Sequence, residues 1–173
     1  MLQVPSEYQW PIKKASMDHY VPYNLLASLL YHESGFNPKC RSVNSDGSVD
    51  RGIAQINDRA HPEVSDAQAY DPIFAINWAA SYLSNLHKKY NDWWRVLLAY
   101  NGGDGAVRAF DAGHPYNNDY AQRIFATGQI TQLAQHAHDA IVHLDNMADL
   151  DMCDDHKEYL HEVVQHIKGY MGW

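Results

Sequence analysis

The chain alternates between segments whose apolar residues recur at helical spacing and polar segments rich in Gly, Asn and Ser. Leu25, Leu26, Leu29 and Leu30 fall on one stripe, the spacing of a buried helix face. Pro22 suits the first turn of that helix and Gly35 its C-terminal cap. A second helix is predicted from Asp71-Pro72, an N-cap followed by a proline, toward Lys89 through Ile73, Ile76, Ala80 and Leu83. Trp93 to Ala99 predicts a third, closed by Asn101-Gly102-Gly103. Val107 and Phe110 mark a short fourth, and Tyr120 to Ala126 a fifth. Residues 37–58 are rich in Asn, Ser, Asp and Gly and read as a loop plus a short β-hairpin, turning at Asp46-Gly47 with Ile53 and Ile56 inward. The fold class is therefore mainly α, an α+β arrangement of a helical domain, a small β-hairpin and a C-terminal helical tail.

That tail changes the picture of charge. Ile130, Leu133, Ala134, Ala137, Ile141 and Leu144 keep helical spacing, as do Leu160, Val163, Val164 and Ile167. Acidic residues from Asp139 to Glu162 face only Lys157 and Lys168, so most of the formal net charge of -8 lies here. Three parts are expected: an N-terminal arm over 1–14, a main domain over 15–127, and an acidic helical hairpin over 128–173 packed on the domain or on a partner. The negative balance argues against nucleic acid or an anionic membrane as partner. With 173 residues and 46% hydrophobic content the chain has room for one real core.

No apolar run reaches membrane-spanning length. The start, Met-Leu-Gln-Val-Pro, lacks the pattern of a signal peptide, so synthesis in the cytoplasm without one is expected. Cys40 and Cys153 match no metal-site spacing. Asp139 and His143 stand one helical turn apart, but no established metal motif surrounds them, and a solvated polar face is the expectation. Neither metal nor cofactor is expected. Trp93-Trp94 reads as core.

Glu33 carries the candidate chemistry. It ends the run Leu25-to-His32 and opens Glu33-Ser34-Gly35-Phe36-Asn37-Pro38. A carboxyl at the end of an apolar helix is poorly hydrated; its charged form is disfavoured and its pKa rises toward neutrality. A general acid that protonates a leaving oxygen at neutral pH needs that shift. Asp50 follows on a Gly-bounded turn and strand, within Asp46-Gly47-Ser48-Val49-Asp50-Arg51-Gly52-Ile53-Ala54-Gln55-Ile56-Asn57, and Ala99-Tyr100-Asn101-Gly102-Gly103 forms a corner. A buried acid, a second carboxyl and this corner point to cleavage of a glycosidic bond.

These three blocks resemble the lytic transglycosylase (SLT) domains of the lysozyme superfamily, glycoside hydrolase family 23, over roughly residues 15 to 127. The Glu33 block is similar to that family's catalytic glutamate block. Gly52-Ile53-Ala54-Gln55-Ile56 is similar to its Gly-Leu-Met-Gln-Ile, with Ala54 where Met is usual, and Ala99 to Gly103 to its Ala-Tyr-Asn-x-Gly. The hairpin also resembles animal-type lysozymes. The resemblance implies a lysozyme-like fold, peptidoglycan glycan strands as substrate, cleavage between N-acetylmuramic acid and N-acetylglucosamine, and a 1,6-anhydro product. It further implies substrate contacts at Ser34, Gln55, Tyr100, Asn101, Gly102 and Tyr120, with the Tyr100 hydroxyl orienting Glu33.

Several readings stay open. Asp50 either acts in catalysis or pairs with Arg51 or Arg59, or holds the turn through backbone hydrogen bonds. Gln55 is a groove residue or a plain hairpin polar group; Tyr100 and Tyr120 are groove residues or core. A hydrolysing muramidase is the nearest rival activity, and an inert glycan-binding component of a phage particle the rival of another class. A phage tail or virion protein is the partner that the acidic tail would suit. A wall enzyme lacking its own export signal would reach the wall by a particle, a holin pore or another secretion path.

Overall fold

The computed structural model describes residues 2–114, 118–128, 161 and 165. Its elements belong to a unit, Met1–Gln129, that the chain's own contacts set apart from Ile130–Trp173. Apart from residues 128, 161 and 165, the expected tail hairpin, with Asp139, His143 and Cys153, lies outside the described residues.

The leucine stripe becomes the central helix. After α1 (Ser6–His19), α2 (Tyr23–Ser34) starts behind Pro22 and ends at Gly35. There a left-handed φ of 62° lets the Gly35 N–H donate back to the Tyr31 carbonyl at 2.8 Å. Residues Leu25 to Leu30 are all buried, because α2 is covered on more than one side, by α1 and by α6 (Asn118–Gly128). The Ser28 hydroxyl satisfies itself inside this packing by donating to the Ile124 carbonyl at 2.7 Å.

Helix α4 (Pro72–Tyr90) begins where its cap predicts. The Asp71 carboxylate accepts from the N–H groups of Ile73 at 2.8 Å and Phe74 at 3.1 Å. Helix α5 (Trp93–Asp111) is capped likewise by Asp92. It bends where the sequence predicts a stop: Gly102 and Gly103 leave helical geometry, Gly103 with φ 63°. The expected third and fourth helices are thus two limbs of one kinked element. Trp93 is fully buried, as core.

Three elements were not foreseen. Most of the stretch expected as an arm belongs to α1, whose Ile12, Ala15 and Ser16 are buried. Its stripe is short, and although Pro5 precedes it, Pro11 falls inside it, so neither periodicity nor breakers announce it. The hairpin is a three-stranded antiparallel sheet, β1 (Arg41–Val43), β2 (Val49–Arg51) and β3 (Ile56–Asn57). Strand β3 is too short to carry an alternating pattern. The turn falls at Asp46-Gly47 as predicted, with the Asp46 carboxylate accepting from the Ser48 N–H at 2.9 Å. Register sets Asp50 opposite Ser42 on one side and Asn57 on the other. A one-turn helix, α3 (Asp66–Ala69), carries the Asp66 that pairs with buried Arg51 at 2.7 Å. Among the described residues no helix is long and apolar enough to cross a membrane.

Candidate active site

A groove of about 720 Å³ runs between the sheet, α4 and the kink of α5, and Glu33, Asp50, Gln55, Tyr100, Asn101 and Gly102 all line it. Residues far apart in sequence converge here because α2 ends against the loop after β2 while the glycine kink turns α5 away. Ser34 holds the first of these junctions. Its hydroxyl reaches the Ile53 carbonyl at 2.8 Å and the Leu30 carbonyl at 3.2 Å. Expected at the substrate, Ser34 is instead absent from the groove wall, since its single proton is taken by backbone behind it.

As a whole residue Glu33 is half-buried, but protein atoms enclose its carboxyl more closely than that exposure conveys. Burial pushes its pKa from 4.5 up to about 7. The hydrogen bond from Tyr120 pulls the other way, and the negative charge of Asp50 adds to the rise. Glu33 is therefore close to half protonated at neutral pH, the condition for giving and then retaking a proton.

The partner of Glu33 differs from the one the sequence implied. The Tyr100 hydroxyl donates to the Ala54 carbonyl at 2.8 Å. The phenol that donates to Glu33 Oε1 is that of Tyr120, brought in by α6. Tyr120 is buried and is not among the residues of the groove wall, and its hydroxyl meets the acid. Burial, then the Glu33 charge, raises the pKa of both phenols well above 10, which keeps each a donor. Tyr120→Phe is expected to move the pKa of Glu33 upward, because the lost hydrogen bond favoured the charged form. The alkaline limb of the pH–rate profile should shift up by about one unit, while circular dichroism stays native; an unmoved limb contradicts this role.

Asp50 is held by amides and not by arginines. Its Oδ1 accepts from Asn57 Nδ2 at 2.7 Å and its Oδ2 from Asn44 Nδ2 at 3.0 Å. Arg51 turns to Asp66, and Arg59 to Asp46, whose carbonyl it meets at 2.7 Å. The two amides orient the carboxyl toward the groove without neutralising it. Gln55 sits in the groove wall with a left-handed φ of 49°, unusual for a side chain with a Cβ. Its Nε2 holds that turn by donating to the Gly52 carbonyl at 2.8 Å and the Cys40 carbonyl at 3.3 Å. Ala54, where the resembled family has Met, is fully buried.

Sequence reading missed one side of the groove. Trp78 and Tyr82 from α4, with His61, line it. The signal was available: these two rings stand at i, i+4, beside the buried stripe of Ala75, Ile76, Ala79 and Leu83 and not on it. No group of three or more His, Cys, Asp or Glu that could hold a metal ion occurs among the described residues.

A helical domain with a small antiparallel sheet, and a buried glutamate facing a polar groove between them, defines a lysozyme-like α+β protein. The Transglycosylase SLT domain family matches residues 11–122, and this chain belongs to it. It is 34% identical over 97 residues to Protein IpgF of Shigella flexneri, covering 52% of this chain and 63% of that protein. Invasion protein IagB of Salmonella typhimurium is 33% identical over 97 residues, 50% of this chain and 61% of that one. The chain thus spans about three fifths of the length of these curated relatives. Peptidoglycan transglycosylase gp16 of Escherichia phage T7 is 30% identical over 128 residues, which are 72% of this chain and 9% of that protein.

Proposed function

We propose that this protein is a peptidoglycan lytic transglycosylase that cleaves the β-1,4 bond between N-acetylmuramic acid and N-acetylglucosamine. The observation that carries the reading is the Glu33 carboxyl, held near a pKa of about 7 in the groove. Protonated Glu33 donates to the glycosidic oxygen; the bond from that oxygen to C1 of the muramic residue breaks, and N-acetylglucosamine leaves with a free hydroxyl. The oxocarbenium-like centre is stabilised by the substrate's own N-acetyl group and by the negative charge that Asp50 brings to the groove. Glu33, now a carboxylate, takes the proton of the C6 hydroxyl, and O6 closes on C1 as a 1,6-anhydro ring. No water is consumed. Tyr120 steadies Glu33 in both forms; Gln55, Tyr100 and Asn101 shape the wall, and Gly102 lets the glycan approach the backbone.

One observation favours a second reading, a hydrolysing muramidase: Asp50 is fixed in the groove, and its charge contributes to the raised pKa of Glu33. In a retaining hydrolase such a carboxyl lies about 5 Å from the acid and serves as nucleophile or charge stabiliser. Ring closure is preferred here, because a C6 hydroxyl within reach of Glu33 reacts intramolecularly and outruns water by proximity. Mass spectrometry of digested sacculi separates the two: an anhydro terminus weighs one water less than a reducing one. Mostly anhydro termini are expected; mostly reducing termini overturn the mechanism while leaving Glu33 as acid.

The site of action that follows is the cell wall. A phage particle or another wall-crossing assembly is the setting we favour, on the likeness to a phage T7 protein and to an invasion protein, with the acidic tail as the docking element. Detection of the protein in purified particles supports this, and its absence from them opposes it.

A further inference from the structure

The groove has two unlike walls, and the chemistry assigned to Glu33 uses neither in full. On the sheet side stand amides and charges, among them Asn44 and Arg59. On the α4 side stand rings. Trp78 and Tyr82 are stacked, centroids 5.1 Å apart and planes 23° apart. His61 meets both edge-on, at 4.7 Å and 4.9 Å, and Tyr82 lies 5.6 Å from Tyr100. These rings form a continuous run along the groove from Tyr100, beside the acid, to His61 and Trp78. Their helix buries its small residues, Ala75, Ala79 and Ala80, and leaves both large rings half-exposed toward the groove. Apolar ring surface left open in a cleft implies something that covers it.

The geometry points to a sugar-stacking wall: Trp78 and Tyr82, propped by His61, seat an N-acetylhexosamine of the glycan strand away from the bond being cleaved. A pyranose has a face of C–H groups and a rim of hydroxyl and acetamido groups. Such a ring fits between these two walls in one sense only, C–H face to the aromatic rings and polar rim to the hairpin amides. The inference rests on a glycan substrate as proposed above and adds the residues that hold its remote part. They contribute to binding and not to proton transfer, because none of the three touches Glu33.

The test uses the full chain carrying Glu33→Gln, so that ligand is not turned over, titrated with the N-acetylglucosamine tetramer. Calorimetry should show binding weakened about tenfold by Trp78→Ala and by Tyr82→Ala, the scale of one lost aromatic contact. Trp10→Ala, on the exposed side of α1, should leave it unchanged. Trp78→Phe keeps a ring and spares the packing; it should retain most affinity while abolishing the ligand-induced change in tryptophan fluorescence. In chains that keep Glu33, the wall variants should raise the apparent KM on sacculi with kcat within about twofold, as expected for lost ground-state binding. Unaltered affinity in folded Trp78→Ala and Tyr82→Ala, or an unaltered fluorescence response in Trp78→Phe, overturns the wall. Tetramer binding through Trp78 with no cleavage of sacculi by the Glu33 protein would overturn the proposed activity and leave the wall standing. Cleavage that ignores both rings does the reverse.

Discussion

Glu33→Gln is expected to abolish lysis of purified sacculi, by at least about a thousandfold, in a protein that still folds. The amide is nearly isosteric and still accepts from Tyr120, so the end of α2 and the groove should keep their shape, but it has no acidic proton to give. Turbidity of a sacculus suspension reads the loss, with circular dichroism as the folding control. Retention of more than a few per cent of activity by a folded variant would remove Glu33 from the mechanism. The same substitution should stabilise the fold above neutral pH. Between pH 4.5 and about 7 the folded carboxyl holds a proton that the unfolded chain releases, so the stability of the parent protein falls as pH rises through that window. Gln has no such loss. Allowing for water on the groove side, the variant should gain on the order of 2 kcal/mol over the parent by pH 8 and nothing at pH 4. Denaturant titrations at both values check the sign.

Gly52→Ala is expected to destabilise the fold more than a methyl group added at Gly35, Gly47, Gly103, Gly105 or Gly113. Gly52 has a left-handed φ of 74°, and a Cβ built there would stand 1.8 Å from the Ala69 carbonyl oxygen, which is backbone and cannot swing aside. Both strain and collision apply, so a loss above about 4 kcal/mol is expected in urea unfolding. Gly35→Ala makes the control: its φ of 62° is as unfavourable, but nothing lies within 4 Å of the added methyl, and a loss of about 1 kcal/mol is expected. Equal losses at the two positions would mean that the close approach of Gly52 to α3 is not maintained in solution. The consequence would reach the groove. The Gly52 carbonyl accepts from both the backbone and the side chain of Gln55, so a displaced Gly52 releases Gln55 from its left-handed turn.

Local rules carried far along this sequence. Caps and periodicity act within one turn of helix, so Pro22, Gly35, Asp71 and the leucine stripe placed α2 and α4 with their ends, and Gly102-Gly103 marked the bend of α5. The poorly hydrated position of Glu33 is also local, an apolar helix running out at a carboxyl, and it announced the direction of the pKa shift; Tyr120, which opposes the shift, and Asp50, which adds to it, come from elsewhere in the chain. Helix α1 escaped because its buried stripe amounts to Ile12, Ala15 and Ser16, and β3 because two residues hold no period.

What Glu33 and Asp50 touch was decided only in three dimensions. Tyr120, 87 residues from Glu33 in the chain, supplies the hydrogen bond that the motif alone would give to Tyr100, because α6 packs across α2 and delivers a phenol beneath the acid. Strand register set Asn57 beside Asp50, and the hairpin returned Asn44 to its other oxygen, while Arg51, its neighbour in sequence, and Arg59 found carboxylates elsewhere. Trp78 and Tyr82 carry no motif at all. They became a groove wall because α4 turns its alanines to the core and has only the cleft left for its rings. A sequence specifies which groups tend to be buried or to cap, through forces that act over a turn; which distant group completes a site depends on how whole helices pack.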